Sequence, residues 1–332
     1  MNIELITTPN GDLKESGFGS LAACRNVLDA IQSFGHDAVL TVCETREDLE
    51  EVVKRKPALL ALAVKYIPTE TKGNIWLTEY FAQRGISFTG SSREILKFDS
   101  NKVLAKSHLK NKGIKTANYF LTVPRQFQNE KDLPTPFPLF LKPLDAANGN
   151  GVDDLSHVDN IIDYEHKVVS LFKTYKQPTL AEEYLDGREF TVAIIKKLDN
   201  SLIVSAIEIV PPTSAKGLKI LGAQTKKDDS ETLLKIDDLQ LKSEVTRLAI
   251  QAFNALGVRD FGRIDIKANA DGECFFLEAN LVPGMTYGSS YFPRACEIAH
   301  GLRYTQVIEH VISGGLARAT SALPPNNVNY QV

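Results

Sequence analysis

The sequence predicts an α/β protein with an N-terminal parallel sheet that gives way to an α+β arrangement toward the C-terminus. Three observations carry that reading. Up to about residue 95, short β-prone runs alternate with helical apolar stripes. From about residue 186, strands follow one another and end in a hairpin signature, Asp271-Gly272 between two apolar runs. The composition is that of an ordinary globular chain: 332 residues, 43% hydrophobic, 24% charged, with a formal net charge of -3. That length suits two or three domains.

The first segment, 1–95, opens with a strand at Ile3 to Thr7 and a glycine-containing loop. A helix follows, with Leu21, Cys24, Val27, Leu28, Ile31 and Phe34 at helical spacing. Next come a strand at Ala38 to Val42, a second helix and the apolar strand LLALAV. Such alternation implies a parallel sheet with helices on both faces. The second segment, 96–185, begins with a helix from Ser100 to Lys112 stopped by Gly113. Strands are expected around Tyr119 to Thr122 and Leu139 to Lys142, then a Gly/Asn loop, a helix and a strand at Thr179 to Glu183. The third, 186–316, holds the strands FTVAII and LIVSAIEIV, a long loop from Pro211 to Leu233, a helix from Leu239 to Leu256, the hairpin, and a closing helix ending near Gly314. Residues 317–332 read as a polar tail. Each segment is small for an enzyme by itself, so a ligand is expected in a cleft between them.

The near-neutral charge, with basic residues dispersed, gives no electrostatic case for nucleic acid or an anionic membrane. No apolar run reaches the roughly 18 residues that span a bilayer, and MNIELITTPNGD lacks a basic region followed by an apolar core. A cytoplasmic location is the expectation. Cys24, Cys43, Cys274 and Cys296 are far apart, with no CxxC pair, and read as reduced packing residues.

The residues with the most chemistry are in FGRIDIKANADGECFFLEANLVPGM. With Asp271 and Gly272 as a two-residue loop, Asp265 falls opposite Glu278 and Arg263 opposite Asn280, and all four share one face. Clustered carboxylate and amide oxygens suit Mg²⁺, which completes its shell with water and nucleotide phosphates. Arg263 would then face the anion that the metal holds. A solvated face of mixed charge is the alternative.

Other features point to a nucleotide. Lys102 and Lys106 are four apart on one helix and share a face, which usually means a solvated pair. Lys142 ends the apolar strand PLFLK and precedes LDAANGNGV. Glycine and asparagine there tolerate positive φ, so successive N–H groups can turn toward one anion, although many such loops are plain turns. The loop is not a P-loop, since GxxxxGK[ST] is absent. In AEEYLDGREFTVAII, Glu182, Glu183 and Glu189 stand beside an apolar strand, the mixture that an adenine or ribose needs, or simply a charged strand end.

PLFLKP, the glycine loop, EEYLDGREFTV, GRIDIK and FFLEANLVPGM, in this order and separation, resemble the ATP-grasp superfamily, and within it the D-alanine:D-alanine ligase family, over about residues 95–316. The resemblance implies a three-domain ATP-grasp architecture, with ATP bound between the central and C-terminal domains under the loop Asn148, Gly149, Asn150, Gly151. It also implies two Mg²⁺ ions, or Mn²⁺ in their place, and ADP as a product. Lys102 looks like the family's α-phosphate lysine and Lys142 its β-phosphate lysine. Glu182, Glu183, Tyr184 and Leu185 resemble the adenine hinge and Glu189 the ribose acceptor. Asp265, Glu278 and Asn280 resemble the metal ligands. Arg263 with the N–H of Gly284 resembles the group that stabilises the tetrahedral intermediate, and Ser289 the serine that holds a substrate carboxylate. The implied substrates are small molecules, an amino acid or other small carboxylate plus an amine, and a homodimer is expected by analogy.

The chain departs from the family where the substrate sits. Counting back from GHDA puts Phe18 where the family has a substrate-binding glutamate, with Glu15 three residues away. The glycine loop lacks the family's serine pair, and Pro211 to Leu233 has no tyrosine to link to it. The third phosphate lysine is one of Lys216, Lys219 and Lys226. The expected activity is therefore a carboxylate–amine ligase with an altered amino-acid pocket. The alternatives are a true D-alanine:D-alanine ligase, a phosphotransferase that forms no amide, and a scaffold without turnover. Asp265→Asn and Glu278→Gln are expected to weaken Mg-ATP binding and leave the fold intact.

Overall fold

The computed structural model describes residues 1–9, 17–69, 73–145, 149–214 and 216–321. Strand β1 (Asn2–Thr7) is the centre of a three-stranded parallel sheet, between β2 (Asp37–Val42) and β3 (Leu59–Leu62). Parallel neighbours require crossover connections, and the helices Leu21–Ser33 and Arg46–Arg55 supply them. Ser20 caps the first through the Ala23 N–H. Thr45 and Asp48 form a capping box on the second. Every residue of β3 is buried, as a strand covered on both faces must be. A two-stranded ribbon follows, β4 (Tyr66–Ile67) with β5 (Ile75–Trp76).

Two antiparallel sheets face each other farther along the chain. The smaller has the order β6-β9-β7-β8, with β6 Tyr119–Thr122, β7 Leu139–Pro143, β8 His157–Val158 and β9 Thr179–Glu183. The helix Ile161–Tyr175 lays Tyr164, Val168 and Leu171 onto it. The larger has the order β12-β11-β10-β13-β14, with β10 Glu189–Lys196, β11 Leu202–Val210, β12 Thr232–Lys235, β13 Phe261–Ala268 and β14 Cys274–Asn280. Its core is shared with the helix Leu239–Ala255 and with Leu96, Phe98, Ala105 and Leu109. Among the described residues, no helix is long and apolar enough to cross a membrane.

Three boundaries differ from the sequence reading. The helix expected from Ser100 to Lys112 is two helices, Arg93–Ser100 and Lys102–Asn111. Asn101 between them is extended, and its side chain accepts from the Leu104 N–H, so the residue that breaks one helix caps the next. The long loop contains a short helix, Ala223–Asp228, and the edge strand β12, which is too short and too exposed to show an alternation. The closing helix, Tyr304–Ser321, does not stop at Gly314. A Cβ at Gly314 would lie 2.7 Å from Asp260 Oδ1, and one at Gly315 would lie 2.8 Å from Leu59 Cδ1, so these glycines permit close packing. Residues 317–321 of the expected tail are thus helical, and 322–332 lie outside the described residues.

Candidate active site

The hairpin β13–β14 places Arg263 opposite Asn280 and Asp265 opposite Glu278, as expected, but by another route. The turn is a loop from Asn269 to Glu273, with Ala268 paired to Cys274, which alone would shift the register by one. A bulge at Asp265/Ile266 restores it, leaving Leu277 as the extra residue. The bulge also lets the consecutive residues Leu277 and Glu278 both line the main cleft.

Asp265 is the hub of the hairpin face. Arg263 donates to it twice, Nε to Oδ1 at 3.0 Å and Nη2 to Oδ2 at 2.9 Å. Thr191 Oγ1, from the neighbouring strand β10, donates at 2.6 Å and Asn280 Nδ2 at 3.0 Å. The Arg263 guanidinium lies 5.4 Å from the centre of the Tyr291 ring. The Tyr291 hydroxyl in turn donates to Glu231, and burial pushes that phenol upward from its ordinary value.

The cleft runs between the two antiparallel sheets, and its empty space, open mouth included, is about 950 Å³. Phe140, Lys142, Gly149, Asn150 and the hinge Glu182 to Leu185 line one side. Glu189, Asp265, Lys267, Leu277 and Glu278 line the other, with Lys102, Lys219 and Lys226 at the polar end. Lys216 is exposed and lies outside this lining. Lys102 Nζ stands 3.7 Å from Glu278 Oε2. Burial pushes the Glu278 carboxyl up, but Lys102, Lys226, Lys142 and Arg263 pull it down to about 2.

Lys106 is not the solvated partner of Lys102 that helical spacing suggests. It is fully buried, and its ammonium meets Glu182 Oε1 at 2.8 Å, while Lys142 meets Oε2 at 2.6 Å. Burial raises the Glu182 carboxyl, and the two lysines bring it down to about 2. Burial also lowers Lys106, more than Glu182 can offset, whereas Lys142 is held above its ordinary value by Glu182, Glu278 and Glu189 despite burial. Glu189 pairs with Lys267 at 3.0 Å.

The glycine loop meets the later loop backbone to backbone. Gly149 has φ +75°, and a Cβ there would come within 2.9 Å of Ala223 N and Gly222 C. A Cβ on Gly222 would approach Val152 O to 2.6 Å. Where the sequence lacks a serine–tyrosine link, two glycines permit direct contact. Gly151 packs instead on Pro143 and Tyr175. Asn148 lies outside the described residues, as does Glu15.

Gly284 and Ser289 do not line the main cleft. Gly284 packs against Ser290, whose Oγ would be 2.8 Å from an added Cβ and which accepts from the Thr286 N–H at 2.9 Å. Ser289 is partly exposed, with its N–H on the Thr286 carbonyl. Phe18 is 2% exposed and belongs to the apolar core beneath. Its N–H donates to Ala63 and its carbonyl accepts from Met285 N.

The donor set fits a hard cation such as Mg²⁺. Two carboxylates and an amide oxygen leave about half of a six-oxygen shell to phosphates and water, and no group of three His, Cys, Asp or Glu stands ready to hold a metal among the described residues. Four donors fill the acceptor positions of Asp265 here, so Asp265 would join Glu278 in holding a cation by releasing one of them. All four cysteines are buried and unbridged.

Sequence reasoning missed Thr191, Tyr291, Glu231, Ser290 and the burial of Lys106. Only Lys106 left a signal. It sits beside Ala105 and Leu109 on the buried face of its helix, whereas the others reach the site from elements remote in sequence.

Two facing antiparallel sheets with a lysine-lined cleft between them and an acidic hairpin beside it form an ATP-grasp fold, and the family match places the chain among ATP-dependent carbon–nitrogen ligases. The family model described as D-ala D-ala ligase C-terminus matches residues 108–313, and the chain belongs to that family. Its relatives include an uncharacterized protein, y4sG, of Sinorhizobium fredii, 26% identical over 86% of this chain and 85% of its own length. A D-alanine--D-alanine ligase of Methylibium petroleiphilum is 29% identical over 69% of this chain and 71% of its own length. In fold, the chain is similar to the D-alanine--D-alanine ligase of Bacillus anthracis complexed with ATP. The TM-score is 0.72 at 20% identity, covering 97% of this chain and 99% of that one.

Proposed function

We propose that the protein joins a small carboxylic acid to an amine at the expense of ATP, through an acyl phosphate, and that its two substrates are not both D-alanine. The observation that carries the substrate part is Phe18. The position where the resemblance expects a glutamate to meet the substrate ammonium holds a phenylalanine buried in the core. A phenyl ring buried in the core offers a desolvated ammonium neither a counter-charge nor a hydrogen-bond acceptor. The ligase part rests on family membership and on the lysine-lined cleft.

In this reading, a carboxylate oxygen of the acid attacks the γ-phosphorus and ADP leaves. The amine then adds to the acyl carbon, loses a proton, and expels phosphate with the C–O electron pair. Lys102 and Lys142 hold the polyphosphate by charge, with Lys226 or Lys219 supplying the third lysine at the polar end of the cleft. Asp265, Glu278 and Asn280 would hold Mg²⁺, which neutralises phosphate charge when bound. Arg263 and the Gly284 N–H meet the oxyanion that develops at the acyl carbon, and Ser289 holds a substrate carboxylate. Glu182 to Leu185 and Glu189 take the nucleoside.

The test is mass spectrometry of the protein with ATP, Mg²⁺ and D-alanine, reading nucleotide and dipeptide together. ADP with D-alanyl-D-alanine would refute the altered pocket. Intact ATP there, with ADP and an amide from another acid–amine pair, would support it. A phosphorylated acid whose formation is indifferent to added amine would make the protein a phosphotransferase.

A further inference from the structure

Lys106 is out of contact with water, beside the cleft and absent from its lining. A buried ammonium is costly unless its N–H groups find acceptors. This one pairs by charge with Glu182 Oε1 at 2.8 Å, and it donates to Thr116 Oγ1 at 3.2 Å and the Phe276 carbonyl at 3.3 Å. They come from the hinge strand, the approach to the central sheet and the hairpin, so the ammonium is fixed by three separate parts of the fold. Lys142 differs. It lines the cleft and meets the other oxygen of Glu182 at 2.6 Å. Glu182 is therefore clamped from behind by a lysine that cannot leave and from the cleft side by one that an arriving phosphate can draw away.

We propose that Lys106 is a positioning residue for base recognition: it holds Glu182 in place so that, when Lys142 turns to the phosphates, the freed carboxylate oxygen accepts from the exocyclic amino group of adenine. The proposal rests on the nucleotide reading of the cleft. Its chemistry makes the site selective. An amino group at position 6 donates to the carboxylate, whereas a carbonyl oxygen there, as in inosine triphosphate, is repelled by it. With Lys106 gone and Lys142 on the phosphates, a buried carboxylate lacks a counter-ion and takes up a proton. A protonated Glu182 tolerates either base.

The experiment is calorimetric titration of the full chain with Mg-ATP and with Mg-ITP. Wild type should prefer ATP by about tenfold or more, the size expected when a buried charged acceptor is left facing the wrong group. Lys106→Met should lose most of that ratio, with ITP binding at least as tightly as it does to wild type. Equal weakening of both nucleotides would mean a purely structural lysine, and either that result or an unchanged ratio would overturn the proposal. Thr116→Val removes one acceptor while keeping shape. It should lower the ratio in part, and it carries the test if the methionine variant does not fold. Wild type that binds both nucleotides equally would overturn the role of Glu182 and the proposal with it, while wild type that binds neither would overturn the nucleotide reading itself.

Discussion

Asp265→Asn is the substitution for which the sequence and the structure make different predictions. From sequence, it deletes a charge, keeps the shape and leaves the fold intact. In the structure, the Asp265 carboxylate holds four donors, two of them from one rigid guanidinium. Thr191 can rotate its hydroxyl and Asn280 can turn its amide to suit a new neighbour. Arg263 cannot, because its fork is planar and donates only. Whichever way the new amide is turned, one Arg263 N–H faces an N–H. Both side chains are 11% exposed, and breaking a buried ion pair from one side costs about 3–5 kcal/mol. Glu278 still attracts Arg263, so the lower end, about 3 kcal/mol, applies. At ~2–4 °C per kcal/mol for a domain of this size, the melting temperature should fall by roughly 6–12 °C. The assay is scanning calorimetry without nucleotide. A variant melting within about 1 °C of wild type would refute the reasoning. Adding Arg263→Met should restore part of the loss, since removing both partners leaves no buried charge unpaired. Glu278→Gln should cost less, because Glu278 is 28% exposed and its ion-pair contact with Lys102 is 3.7 Å.

Gly222→Ala keeps an allowed backbone, with φ -88°, but pushes a methyl to 2.6 Å from Val152 O. It should hold the two loops apart and weaken Mg-ATP by about tenfold in calorimetric titration, and unchanged affinity would show that their contact is incidental. Arg263→Ala should slow product formation by roughly 10² to 10³ if Arg263 meets the oxyanion, a role that an unchanged turnover number would exclude. Glu182 and Glu278 are both held at about 2, below the ordinary carboxylate value. Their contribution to stability is present above about pH 4.5 and lost as pH falls from there through about 2. Acid unfolding followed by circular dichroism should therefore be shallower for Glu182→Gln across that window, and a superimposable curve would contradict the pairing.

The alternation of strand and helix up to Leu62, the strands of both later sheets apart from β8 and β12, and the order of the cleft-lining motifs were legible in the sequence. They depend on period and turn chemistry, which neighbours in the chain determine by themselves. The hairpin shows the boundary of that legibility. Its pairing of Asp265 with Glu278 was inferred from a two-residue turn, yet it arises from a longer loop whose shift a bulge cancels. Packing between strands, not the turn, set the register. Gly314 looked like a helix stop because glycine is a poor helix former, and only the approach of Asp260 shows why it stays in a helix. Lys106 looked solvated because lysine usually is, until Glu182, Thr116 and Phe276 converge on it. The sequence by itself determined which elements form and which chemical groups they carry. Tertiary structure decided which of those groups lose water together, because desolvation and pairing depend on side chains far apart in the chain.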